Sequence, residues 1–172
     1  LTMPELPEVE TVRAALIPAL TDRIVVSAFV GRDDLRWPLP LDLASKLVGR
    51  KFTRVERRGK YVLMILDSDE VLLLHLGMSG SVRIHNHAPT LGKHDHFMLE
   101  MAPPNGPINI SDSDAKTGSD YVVLNDPRRF GWIDFFAGAE MATHKLLAGM
   151  GPEPLGNSFS AAHLETVFAG RK

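Results

Sequence analysis

The 172-residue chain has no cysteine, which excludes disulfides and any cysteine zinc site within these residues. No apolar run approaches the ~20 residues of a membrane span, and no leader pattern opens the chain, so a cytosolic protein without a membrane partner is expected. There is no glycine-rich phosphate loop and no internal repeat. Nor is there an excess of positive charge: 19 Lys and Arg face 21 Asp and Glu, a net charge of −2. Taken alone, that balance argues against a nucleic-acid partner. What is present is an apolar content of 44%, enough for one full domain and a short extra piece.

The distribution of charge points the other way from its sum. Arg50, Lys51, Arg54, Arg57, Arg58 and Lys60 crowd one short stretch with a single acid, Glu56. Acids gather instead at Glu5 to Glu10 and at Asp112 to Asp126. A chain that is acidic overall can still offer a cationic groove.

Val9, Val12, Leu16 and Leu20 recur at spacings of three and four, an apolar helical stripe that follows prolines at Pro4 and Pro7. Ile24–Val30 reads as a strand, and Asp42–Val48 as a short helix capped by Asp42 and stopped by Gly49. Strands are expected at Lys51–Arg58, Tyr61–Leu66, Val71–Leu76, Ser81–His85, His94–Met101, Tyr121–Asn125 and Gly131–Phe136. About eight short strands separated by turn residues predict an α+β, mainly β chain. Its centre is an antiparallel β-sandwich flanked by the amino-terminal helix and a second short helix. Ala102 to Ser119 is rich in Pro, Asn, Gly, Ser and Asp and reads as a surface insertion. From Gly138 the pattern turns helical, at Glu140–Leu147 and Phe159–Phe168. The expected division is therefore 1–137 and 138–172.

The chemical stretch is Met3-Pro4-Glu5-Leu6-Pro7-Glu8-Val9-Glu10-Thr11-Val12-Arg13. A methionine before proline is commonly trimmed, leaving a secondary amine that can add to a sugar carbon and form an iminium ion. A terminal amine titrates near ~8 and lysine near ~10.4, so near neutral pH more of the former is free to attack. Glu5 is placed to move protons. The plain alternative is a helix that happens to begin Pro-Glu.

This stretch resembles the amino terminus of bacterial formamidopyrimidine-DNA glycosylases, which excise oxidised purines. Further blocks match the family in order: Arg57-Arg58-Gly59-Lys60-Tyr61, His75-Leu76-Gly77-Met78-Ser79-Gly80, Lys93-His94-Asp95-His96, Asp126-Pro127-Arg128-Arg129-Phe130-Gly131 and Gly151-Pro152-Glu153-Pro154-Leu155. The resemblance covers essentially the whole chain. It implies a bifunctional glycosylase and abasic-site lyase acting on double-stranded DNA with oxidised bases or abasic sites. It also implies a monomer in the bacterial cytoplasm, at the nucleoid. Residues 138–172 would open a helix–two-turns–helix domain, and a zinc-binding hairpin of the full-length protein, with one zinc ion, would follow.

The family assigns catalysis to Pro4 and Glu5 and places Lys60 at the lesion. His94 and Lys172 would bind the DNA backbone, while Met78, Arg128 and Phe130 would fill the gap left by an extruded base, with Arg128 facing the orphaned partner. Read without the family, Lys60 is a solvated strand-end charge, Arg57 and Arg58 an outer sheet face, and Met78 and Phe130 core. The His94-Asp95-His96 spacing lacks a third metal ligand, so no metal is assigned. One departure matters: Leu1-Thr2-Met3 precede Pro4, and an internal proline nitrogen is an amide that cannot attack. The chain as written is thus expected to be inactive. A lesion-binding module without catalysis and an amino-terminal-proline tautomerase are the competing functions.

Overall fold

The computed structural model describes residues 3–104, 119–153 and 159–169. The first element is helix α1 (Leu6–Leu20), with Glu5 as its N-cap residue and Pro7 in its first turn. Proline is tolerated there because the first amide hydrogens of a helix have no partner within it. The Glu5 N–H instead donates to the Glu8 carboxylate at 3.1 Å. Val9, Leu16 and Leu20 of the expected stripe are buried, and Val12 packs at the edge of the same core. Helix α2 (Leu43–Leu47) follows β1 (Val25–Val30). Asp42 does precede α2, but it lies in the left-handed region (φ 55°) and makes no side-chain cap bond. The expected Asp42 cap is therefore corrected.

Eight strands were expected and eight are found among the described residues: β1, β2 (Phe52–Arg58), β3 (Tyr61–Leu66), β4 (Glu70–His75), β5 (Ser81–His85), β6 (Asp95–Met101), β7 (Asp120–Asn125) and β8 (Trp132–Ala137). They form two antiparallel four-stranded sheets, ordered β1-β6-β7-β5 and β2-β3-β4-β8. The predicted sandwich is the observed fold.

The central strands β3 and β4 are buried on both faces, which explains their near-continuous apolar runs where alternation would be usual. Val62, Met64, Leu66, Leu72 and Leu74 point into the main core between the sheets, under α1. Leu63, Ile65, Val71 and Leu73 face outward and join Phe136 and Leu147 in a second core. Met141, Leu146 and Met150 pack against that second core.

This second core accounts for one error of the sequence reading. Glu140–Leu147 was expected to be helical, yet only a 3₁₀ turn at Gly138–Glu140 forms, followed by irregular turns. His144 stacks on Phe136 at 4.1 Å and its Nε2 meets the Asp134 carboxylate at 3.1 Å. These contacts and the burial of Leu147 pin the segment against the sheet, and tertiary packing overrides a modest helical preference. Helix α3 (Ala161–Phe168) does form, with the Ser160 hydroxyl accepting from the His163 N–H at 3.2 Å. Most of the Ala102–Ser119 insertion lies outside the described residues.

Candidate active site

The α1 N-terminus delivers Pro4 to a cleft of about 350 Å³. Glu8 and Val12 line the same cleft from α1. Leu76, Ser79 and Gly80 line it from the loop after β4, and Asn125 and Pro127 from the end of β7. The helix start and the roots of two loops far apart in sequence therefore share one concave surface. Glu5 follows Pro4 in the chain, and its Oε2 lies 2.6 Å from the Lys60 ammonium.

Lys60 is held by a tight turn. Arg58 and Tyr61 pair across β2 and β3, so Gly59 and Lys60 alone make the hairpin loop. Gly59 takes φ +55°, the conformation that two-residue hairpins need and that glycine supplies without strain. The sequence reading placed Lys60 at a strand start; the structure places it in this turn.

The structure gives most of the basic stretch carboxylate partners. Arg57 lies between Glu10 of α1 (2.8 Å) and Glu153 (3.1 Å). Arg58 also meets Glu153 at 3.3 Å and donates to the Met150 and Gly151 carbonyls. Arg54 pairs with Glu56 at 2.7 Å. Four of the six cations between residues 50 and 60 thus carry a carboxylate partner, counting Lys60 with Glu5. Apart from Arg54–Glu56 within β2, these ion pairs fasten α1 and the Gly-Pro-Glu segment to the turn bearing Lys60.

Glu153 also accepts the Gly59 N–H at 2.6 Å. Burial pushes its carboxyl up, but the Gly59 amide and the charges of Arg57 and Arg58 outweigh this and hold it below the usual carboxylate range. The sequence reading gave Glu10 and Glu153 no role, although Glu153 lay inside a matched block.

Glu10 yields a test of this clamp. Hydrogen bonds from Arg13, and then from Arg57, lower its carboxyl from 4.5 to about 2. A depressed folded-state value means stability that is present above pH ~4.5 and lost as the pH falls towards about 2. The side chain is 44% exposed, so solvent screening limits the effect to about 1 kcal/mol or less. Glu10→Gln should lower the urea midpoint at pH 7, and the gap from the parent should close between pH 4.5 and 2. A gap that stays constant across that range would remove Glu10 from the clamp.

His75 is a further residue that the sequence reading passed over. Its ring packs against Tyr61 at 4.9 Å, and its Nδ1 accepts the Gly77 N–H at 3.1 Å. Burial, followed by the charges of Lys60 and Arg36, lowers its pKa. A neutral His75 thus anchors the start of the loop that carries Met78.

Met78 and Phe130 are 39% and 37% exposed, so neither is a core side chain. Arg128 is exposed too, and its guanidinium sits 4.9 Å from the Phe130 ring centre. Gly77 (φ +63°) lies directly against Phe130: a Cβ there would overlap the Phe130 carbonyl, so only glycine lets the two loops touch. His94 is half-buried, and its carbonyl accepts the Asp126 N–H at 2.9 Å. Seven of the eight expected site residues therefore fall on one connected set of segments; Lys172 lies outside the described residues. Among the described residues, no group of three or more His, Cys, Asp or Glu could hold a metal ion.

The two-sheet sandwich is the fold of solved DNA glycosylases. The structure is similar to Lactococcus lactis Fpg in complex with DNA containing an abasic site (TM-score 0.76, 25% identity, 97% of this chain and 57% of that one). It is equally similar to the same enzyme with DNA containing FAPY-dG (TM-score 0.75, 25% identity, 96% and 57%).

Residues 3–133 match the formamidopyrimidine-DNA glycosylase N-terminal domain, and the chain belongs to that family. The formamidopyrimidine-DNA glycosylase of Roseobacter denitrificans is 46% identical over 98% of this chain, and that of Azorhizobium caulinodans 43% over 99%. The chain spans about 57% of the length of these curated relatives. No helix among the described residues is long and apolar enough to cross a membrane.

Proposed function

We propose that the whole protein is a base-excision repair enzyme, a monomeric glycosylase and abasic-site lyase that removes oxidised purines such as 8-oxoguanine from double-stranded DNA. The observation that carries this reading is Pro4 sharing one cleft with the roots of the two exposed loops, while Glu5, the next residue, pairs with Lys60.

In the proposed reaction, a free Pro4 nitrogen attacks the sugar C1′ as Glu5 gives O4′ a proton and the C1′–O4′ bond opens. The nitrogen then loses its own proton and regains its lone pair. That lone pair then forms the iminium as the glycosidic bond breaks, and the bond's electron pair leaves on the base, which takes up the proton that the nitrogen lost. The iminium acidifies C2′; removal of that proton, assisted by Lys60, expels the 3′ phosphate by β-elimination. Met78 and Phe130 occupy the gap left by the extruded base, since apolar side chains are the usual wedge where a base leaves the stack. His94 and Lys172 contact the backbone, and the cytoplasmic nucleoid is the proposed location. The zinc ion proposed for the whole protein finds no ligand set in the described residues, and no step runs through it.

Borohydride trapping of the whole protein on an 8-oxoguanine duplex tests the reading. A covalent adduct is expected; binding without an adduct would leave a lesion-binding module, and neither would end the proposal. Replacing Arg128 with alanine should lower the preference for lesions opposite cytosine over adenine. A bidentate base contact is worth about 1–3 kcal/mol of discrimination. An unchanged excision ratio on the two duplexes would remove Arg128 from that role.

A further inference from the structure

Met78, Arg128 and Phe130 project from two loops nearly fifty residues apart, and side chains on exposed loops do not hold mutual register unaided. Beneath them lies Asp126, a fully buried carboxylate with 0% exposure. Its Oδ1 accepts the Ser79 hydroxyl at 2.6 Å, from the loop of Met78. Its Oδ2 accepts the Gly131 N–H at 2.6 Å, from the loop of Arg128 and Phe130. The Ser79 oxygen in turn accepts the Arg128 N–H at 3.2 Å. The Asp126 carbonyl accepts from His96 Nε2 at 3.0 Å, and the Asp126 N–H donates to the His94 carbonyl at 2.9 Å.

We infer that Ser79 and Asp126 are positioning residues for opposite-base discrimination: they lock the Met78 loop and the Arg128–Phe130 loop into one reading unit. The inference rests on the proposed reading of Arg128 as the residue that faces the orphaned base. A buried charge is costly unless it is fully bonded, and here both carboxylate oxygens are used, one by each loop. An amide could not do the same, because only one of its two terminal atoms accepts hydrogen bonds. Ser79 is the relay, donating to the carboxylate while accepting from the backbone that aims Arg128. Loss of the relay frees the Arg128 backbone without removing its guanidinium, so aim is lost while charge is kept.

The test uses the whole protein as wild type, Ser79→Ala, Asp126→Asn, Arg128→Ala and the Ser79→Ala/Arg128→Ala double variant. Two ratios are measured. One is the binding ratio for an uncleavable tetrahydrofuran site opposite cytosine and opposite adenine. The other is the excision ratio for 8-oxoguanine in the same two contexts. Ser79→Ala and Asp126→Asn should each lower both ratios about five-fold or more, within the range of one lost base contact. Added to Arg128→Ala, Ser79→Ala should change neither ratio further, because the two act through the same contact.

Unchanged ratios with a lowered melting temperature would make the pair merely structural and overturn the inference, as would additive effects in the double variant. Should Asp126→Asn fail to fold, Ser79→Ala alone decides. Wild-type protein that discriminates in binding but releases no base would sink the glycosylase reading and leave this inference standing. Wild-type binding without discrimination would sink the inference.

Discussion

Whole protein that begins at Pro4 should give a covalent adduct with an 8-oxoguanine duplex under borohydride. The same protein with Leu1-Thr2-Met3 joined to the Pro4 nitrogen should give none. Acylation turns the nitrogen into an amide whose lone pair is delocalised into the carbonyl, so the attacking electron pair no longer exists as such. Binding should survive better than trapping, because the Arg128, Met78 and Phe130 loops are bonded to one another and not to Pro4. Some loss of affinity is expected, since Pro4 lines the cleft and an added Met3 and its neighbours would crowd the approaching sugar. Equal adduct yields, with mass spectrometry showing the extension intact, would mean that Pro4 is not the nucleophile. Lys60, within 2.6 Å of the Glu5 carboxylate, would then be the next candidate.

The elements that were legible in the sequence are those whose periodicity reflects burial on one side. The α1 stripe of Val9, Leu16 and Leu20 is an example, and each of these is at most 1% exposed. Strands β3 and β5 were read to the residue, and the other strands within one or two. Glu140–Leu147 was misread because its fate depends on Phe136 and Asp134, and local preference contains no information about such partners. How much charge the basic stretch leaves free is hidden from the sequence for a similar reason. Its composition is cationic, but Glu153, some ninety residues away, and Glu10 on α1 are what decide how much charge remains free. Ser79 and Asp126 stand inside matched blocks, but nothing in the sequence links one to the other. Only the fold brings the Ser79 hydroxyl to the Asp126 carboxylate.

Replacing Glu5 with glutamine should separate the two chemical halves of the proposed reaction. Base excision needs a proton on O4′ as the sugar ring opens, and losing a positioned general acid slows such a step by about 10²–10⁴-fold. An abasic site already exchanges with its open-chain aldehyde, so strand cleavage there does not need that proton and should fall far less. The fold should tolerate the change. The Glu5 N–H keeps its bond to the Glu8 carboxylate, and a glutamine oxygen can still accept from the Glu8 N–H in the capping box. The pair with Lys60 is exposed on both sides (56% and 35%), so its loss should cost between 0 and about 1 kcal/mol of stability. Lys60→Ala is the counterpart, with Glu5 kept, and it should impair elimination on the abasic duplex, where Glu5→Gln does little. Single-turnover rates on an 8-oxoguanine duplex and on an abasic duplex supply the comparison. Equal losses on both substrates for Glu5→Gln would mean that Glu5 acts after base release, and its role as the ring-opening acid would be withdrawn.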